Sequence, residues 1–237
     1  MNIEIQPKKA FIVLLSIFFI LLVFHLGALF VKHYLGYPVA LGLVPMFHFD
    51  SDTSISSYYS ALCLLVAGVI LANISILHKK RSDSYLYWLG LSLIFVFLSF
   101  DEASAIHERL IGPVKTVLNA SGYFTFAWII PYGLATLLLS IAYMKFFIRL
   151  SKPTLVLFLI VGGTFLSGAI GFEMISGNYS EFNGVGNLTY DFMTTVEELL
   201  EMFGAFIFIY ALLTYITSQF ESLGIVVKNR NRDSGSG

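Results

Sequence analysis

Six long apolar segments fix what this chain can become. They run over residues 10–31, 58–77, 85–106, 123–147, 155–175 and 191–217. A run of about 20 apolar residues matches the roughly 30 Å hydrocarbon core of a bilayer, and an α-helix satisfies its own backbone there. The fold expected is therefore all-α: a polytopic membrane protein with a six-transmembrane-helix bundle, read as one membrane domain over residues 1–233. Composition agrees. The chain is 57% hydrophobic and only 12% charged, about half the charged fraction of a soluble domain. A net charge of −1 provides no field for nucleic acid. The partner read from composition is the lipid bilayer, with room for a homo-oligomeric or membrane-complex partner.

Two ends need separate treatment. Lys8 and Lys9 ahead of an apolar run imitate a signal peptide, but residues 10–31 exceed a signal h-region and carry no small-x-small cleavage site. The segment reads as a retained first helix. Residues 234–237, Ser-Gly-Ser-Gly, read as an appended linker. The single cysteine, Cys63, cannot form an internal disulfide. Pro131 falls inside the fourth segment and predicts a kink. Gly163, Ser167 and Gly171, four residues apart on the fifth, hint at close helix contact. The loop from His33 to Ser57 is itself apolar and is expected at the interface or folded back into the bundle.

Basic residues set the expected orientation. With the N-terminus inside, Lys8, Lys9, Lys79, Lys80, Arg81, Lys145, Arg149, Lys152, Lys228, Arg230 and Arg232 are cytoplasmic, against Lys32, Arg109 and Lys115 outside. That division is 11 to 3, and the positive-inside rule then puts both termini in the cytoplasm. The localisation expected is integral to a bacterial cytoplasmic membrane, the cell inner membrane.

The acids segregate the other way. Glu4, Asp83, Glu221 and Asp233 are inside and the other 11 of the 15 acids are outside or in the outer helix halves. Acids contribute little to orientation, so another demand holds them there. The purely apolar part of the third segment runs from Tyr85 to Phe100, about 24 Å at 1.5 Å per residue. That of the sixth begins only at Met202. Both are too short to span unless Asp101 and Glu102, and Glu198 and Glu201, lie within the membrane. Glu173 closes the fifth segment in the same layer. On the third helix Asp101, Ser104 and Glu108 fall on one face at i, i+3, i+7, with His107 beside it. His25, in the outer half of the first segment, is its only ionisable residue.

Crowded carboxylates repel unless a cation neutralises them. A divalent metal ion is the economical solution, and the candidate metal ligands are Asp101, Glu102, His107, Glu173, Glu198, Glu201 and His25. Proton-sharing carboxyls are the competing arrangement. No nucleophile–base pair fixes an enzymatic reaction; Ser104 near His107 and Glu102 is generic. The function expected is an outward-facing carboxylate/His site binding a divalent cation for ion transport or sensing. The alternatives are a metal-dependent membrane hydrolase or transferase acting on lipid, and a structural subunit of a membrane complex.

The segment Phe100-Asp101-Glu102-x4-His107-Glu108 resembles one in uncharacterised bacterial multi-pass membrane proteins. That resemblance covers the second and third segments best and implies no activity. Ceramidase-like hydrolases carry HxxxH, which is absent. Ferritin-like di-iron proteins carry Glu-x-x-His pairs, also absent; Glu198-x-x-Glu201 is at most a carboxylate variant.

The topology predicts a labelling pattern. An impermeant thiol reagent applied from outside should reach a cysteine substituted at Asn119 or Asn183 and should not reach one at Ser82. Labelling of Ser82 alone would reverse the orientation.

Overall fold

The structure is a computed structural model that describes residues 6–81 and 85–220. The Ser-Gly tail at 234–237, Lys228, Arg230, Arg232, Ser82 and the acids Glu4, Asp83, Glu221 and Asp233 lie outside the described residues. Among those described, every element is helical. In chain order they are α1 (Pro7–His33), α2 (Leu43–Phe47), α3 (Ile55–Lys80), α4 (Tyr85–Ser104), α5 (Ile111–Leu118), α6 (Ile129–Ile148), α7 (Lys152–Leu166), α8 (Glu173–Asn183) and α9 (Leu188–Gln219). A π-helical stretch, Ser167–Phe172, joins α7 to α8. Six spans result: α1, α3, α4, α6, the continuous α7–α8 rod and α9, each long and apolar enough to cross a membrane. The protein is an all-α polytopic membrane protein built as a six-helix bundle.

Local chemistry sets several ends. Ser54 caps α3 by accepting from the Ser57 N–H at 3.1 Å. Asn187 caps α9 by accepting from the Tyr190 N–H at 3.0 Å. Such side-chain acceptors satisfy amide groups that the first turn leaves open. Helix α6 starts at Ile129, later than the segment from 123 predicts. Pro131 therefore sits in its first turn, where a missing N–H costs no hydrogen bond, and the expected mid-helix kink does not arise.

Helix α9 is the axis. It packs against α1, α3 and α7, and 56% of its apolar window is buried, against 11% for α6. Phe18, Leu21, His25 and Ala28 form the buried stripe of α1 at helical spacing. Phe18 meets Phe203 at 4.6 Å between rings. Below the acidic end the core is closed by Met202, Phe206, Leu64, Leu71, Ile74 and Leu212, all buried. Helix α6 leans on the bundle near its two ends, through Phe146 and Tyr143 at one and Trp128 and Tyr132 at the other. In between, Leu134, Leu137, Leu138 and Ile141 are exposed.

In lipid, apolar faces gain nothing by leaving hydrocarbon, so close approach and polar contacts decide helix association. The α3–α4 hairpin uses both. Ser92 Oγ donates to the Gly68 carbonyl at 2.8 Å and Ser99 Oγ to the Ala61 carbonyl at 2.8 Å. A Cβ on Gly68 would stand 2.9 Å from Val96 Cγ2. The stripe expected on the fifth span is corrected by the packing. Gly163 and Gly171 have open space around them, and the close contacts are made by Gly168, where an added Cβ would stand 2.7 Å from the Glu197 carbonyl oxygen, and Gly204, where one would stand 2.7 Å from Phe165 Cβ. The π-helical turn adds a residue, so a four-residue spacing does not stay on one face.

Gly168→Ala and Gly204→Ala should each destabilise by about 1–3 kcal/mol, the cost of overpacking a closed contact. Gly163→Ala should be neutral or slightly stabilising, since it only raises helix propensity. Thermal unfolding in detergent measures all three.

Candidate functional site: an acidic layer at one end of the bundle

The end of α4 builds the first part. Ala105 takes a left-handed φ of 46°, which stops the helix at Ser104. The chain doubles back, and the His107 N–H donates to Asp101 Oδ1 at 2.8 Å while its ring Nδ1 lies 3.2 Å from Asp101 Oδ2. His107 is thus joined to Asp101, not displaced from it. The face expected to continue to Glu108 ends here, because Glu108 falls in a 3-10 turn, Glu108–Leu110, outside α4.

The first turns of α6 add two aromatic donors that sequence patterning did not single out. Tyr132 O–H donates to Asp101 Oδ1 at 3.1 Å and Trp128 Nε1–H to Glu173 Oε1 at 3.0 Å. Their i, i+4 spacing puts both on one face. The His107 ring lies 4.7 Å from that of Trp128. Glu173 is the first residue of α8, directly after the π-helical turn. That turn brings Gly168 against the α9 backbone at Glu197 and the Glu201 side chain. Ser176 Oγ donates to Glu197 Oε2 at 3.2 Å, and Glu173 and Glu197 meet carboxyl to carboxyl.

These groups form one electrostatic cluster. Glu198 is within range of Glu102, Glu201, Asp50 and Glu173, and Glu201 of Glu102, Glu173 and Asp101. Glu102 in turn faces His107, Asp101 and Asp52. Asp50, Asp101, Glu102, Glu173, Glu197, Glu198 and Glu201 thereby share a layer, with Asp52 and Glu108 at its rim. Among the described residues the only basic side chain at salt-bridge distance from any of them is His107, on Asp101. Ser60 Oγ, on a residue 1% exposed, lies beside Glu102 without a hydrogen bond of proper geometry to any partner.

Asp50 marks the open side. Protein surrounds most of it, yet it keeps exposed surface. Burial pushes its carboxyl up to about 7, with Asp191 and Glu173 adding to the rise and His48 opposing it. Burial also raises Glu108, with Asp52 next. Burial works to lower the His107 imidazole, but the hydrogen bond and charge of Asp101, with Glu102 and Glu173 beyond, hold it above the ordinary histidine range.

His25 is not part of this layer. Its Nδ1 accepts from the Phe49 N–H at 3.1 Å, so Nε2 carries the proton and donates to Thr195 Oγ1 at 2.8 Å. Phe49 stacks on the ring at 4.0 Å, so the apolar loop does fold back into the bundle. Both ring nitrogens are engaged, and the neighbours in electrostatic range are His48, Asp191 and Lys32. Those residues make a second cluster. Asp191 Oδ2 is 2.6 Å from Lys32 Nζ, 2.6 Å from His33 Nε2 and 3.4 Å from His48 Nε2. Here an acid is met by a lysine and two imidazoles, in contrast to the layer below.

An oxygen-rich set with one imidazole suits a hard divalent cation such as Mg, Ca or Mn. The donors Asp101, Glu102, Glu173, Glu198 and Glu201 fit by chemistry. Among the described residues no three His, Cys, Asp or Glu side chains converge on one point as they stand. Holding an ion with three ligands therefore requires rotation of glutamate side chains, which are long enough to turn inward.

Residues 14–216 match the family described as a domain of unknown function, DUF8692, and the chain belongs to that family. No curated protein and no solved structure matches the chain.

The raised Asp50 carboxyl gives a pH signature. A carboxyl whose folded pKa exceeds its unfolded value of about 3.9 contributes stability that is complete below that value and lost as pH rises through the folded value. With chelator present, the unfolding temperature should fall between pH 5.5 and 8, and Asp50→Asn should shrink that fall. An undiminished fall in the variant would remove Asp50 from the account.

Proposed function

We propose that this protein binds a divalent cation in its carboxylate layer, from one side of the membrane, and uses the ion for sensing or to organise chemistry there rather than passing it across. The observation that carries the reading is the layer itself: seven carboxylates from four stretches of chain, with His107 as the one basic side chain at salt-bridge distance among the described residues. Each ionised carboxylate at membrane depth costs at least a few kcal/mol unless paired or hydrated. A cation offsets several at once.

Conduction is disfavoured by what lies beneath. Immediately below Glu201 come Met202, Ala205 and Phe206, each at most 1% exposed, with no polar path through them. A transport route needs polar groups or water along its length. In the same reading the acidic mouth faces outward and both termini are cytoplasmic, in a bacterial cytoplasmic membrane. The support is the 11 to 3 division of basic residues between the two sides.

An ion that binds the folded state stabilises it by mass action, by roughly 2.7 kcal/mol at about 100 times Kd. Thermal unfolding with chelator, then with Mg, Ca, Mn or Zn added singly, should show a rise for a hard cation that weakens at acid pH, because protons compete for the same oxygens. Glu198→Gln or Glu201→Gln should abolish the rise, and should stabilise the ion-free protein by relieving repulsion. Absence of any ion-specific rise in the parent protein would leave proton-sharing carboxyls as the account of the layer.

A further inference from the structure

The connection from α1 to α3 carries no Asp, Glu, Lys or Arg between Tyr34 and Phe49. Its inner side is docked on the bundle, where Val44, His48 and Phe49 are buried. Its outer side is not covered by protein. Tyr37, Val39, Leu41, Leu43 and Met46 are exposed, and Leu41 is wholly so. Ala40 and Leu41 take left-handed φ values of 42° and 59°, a conformation that is costly for a residue with a Cβ. The turn they make holds the Leu41 side chain away from the bundle.

Hydrogen bonds and ring contacts fix the depth of this segment. The apolar run from Ala10 to Val31 spans about 33 Å at 1.5 Å per residue, one hydrocarbon thickness, so Val31 marks the hydrocarbon edge. The chain reverses at Gly36, whose φ is 74°, and the Tyr37 N–H donates to the Val31 carbonyl at 3.1 Å. Tyr37 is thereby returned to that edge. Irregular backbone exposed to lipid is excluded from the hydrocarbon itself, and the turn at 36–42 begins at its edge, where water and headgroups reach it. The helical turn α2 then makes the descent. Phe47 stacks on Phe24 at 4.7 Å and Phe49 on His25 at 4.0 Å. Those partners lie about 9–10 Å below Val31 along α1.

We propose that residues 34–46 form an interfacial segment whose partner is lipid, in the leaflet on the acidic side of the bundle. Its apolar side chains enter the boundary between headgroups and acyl chains. Tyr34 and Tyr37 stand at headgroup level, as tyrosine does at membrane interfaces. Lipid is the occupant because the segment continues the lipid-facing surface of α1. Phe24 and Phe30 are exposed on that helix, and ring stacking joins Phe24 to Phe47 and Phe30 to Tyr34. A charged partner surface finds no counter-charge along the stretch. The same descent sets Asp50, which follows directly on Phe49, at membrane depth.

An environment-sensitive probe at Leu41 tests the placement. Cys63→Ala removes the one native thiol, and Leu41→Cys is then labelled with the fluorophore NBD. Nothing in the protein covers Leu41, so the labelled variant should unfold at the same temperature as Cys63→Ala. It is reconstituted in vesicles of phosphatidylcholine and phosphatidylglycerol. Quenching is measured with iodide on both sides, and with lipid bearing a nitroxide near the glycerol or near the chain end. The NBD adduct of glutathione gives the watery limit. The expected result is blue-shifted emission, iodide quenching at most about a third of the adduct's, and stronger quenching by the shallow nitroxide than by the deep one. Emission and iodide quenching equal to the adduct's put Leu41 in water and overturn the proposal. Protection from iodide and from both nitroxides means that protein, a second copy included, covers the segment, and overturns it equally. Stronger quenching by the deep nitroxide overturns the placement at the boundary.

Discussion

Like charges brought together at membrane depth are the constraint on which this architecture turns. A bundle of apolar helices could form without them, since lipid tolerates any arrangement of leucine and phenylalanine. Once Asp101, Glu102, Glu173, Glu197, Glu198 and Glu201 sit in one layer, the options narrow. Their mutual repulsion and desolvation must be met by protons, water or a cation. Beside the single imidazole of His107 on Asp101, the donors to the layer are neutral: Trp128, Tyr132 and Ser176 each donate one hydrogen bond to a carboxylate. Such donors orient an oxygen without neutralising it. Lysine in those places would have quenched the layer, and lysine is available close by, at Lys32, where it serves Asp191.

Holding the layer together is the task of backbone contacts that side chains could not make. The π-helical turn at Ser167–Phe172 and the absence of a Cβ at Gly168 let the fifth span touch α9 at Glu197. That contact sets how near Glu173 stands to Glu197. One turn lower, Gly204 receives Phe165 at similar range. The acidic layer and the packing that positions it are therefore successive turns of the same two helices. A change that spreads α7 from α9 reaches the carboxylates without touching one.

The bundle was legible in the chain because the bilayer imposes a length on every span, and length can be counted. The same count exposed the layer: Tyr85–Phe100 and Met202–Ile216 are too short to cross without their flanking acids, and those acids do face one another. What could not be counted was direction. Nothing in the spacing of Asp101 and His107 announces that Ala105 turns left-handed and returns the imidazole to the carboxylate. Sequence patterning did not single out Trp128 and Tyr132, because an aromatic near a helix end usually just anchors in the headgroup region; their carboxylate partners are fixed by tertiary packing. His25 misled for the same reason. An ionisable residue in an apolar helix points to a polar neighbour but does not say which, and its neighbours are Thr195 and the Phe49 amide.

Helix α9 carries the contrast that gives the layer its meaning. Asp191, near its start, is surrounded by Lys32, His33 and His48 and needs no further charge. Glu197, Glu198 and Glu201, two to three turns along, have no Lys or Arg at salt-bridge distance among the described residues. One helix in one bundle thus holds a neutralised acid and a set of acids left to be neutralised. If carboxylates at this end served only to face water or to steady the fold, the arrangement at Asp191 would be the cheaper pattern to repeat. Bare acids at that depth call for protons, water or a bound cation to offset their repulsion. Beneath them the core is closed by Met202, Phe206 and Leu64, while Asp50 keeps exposed surface.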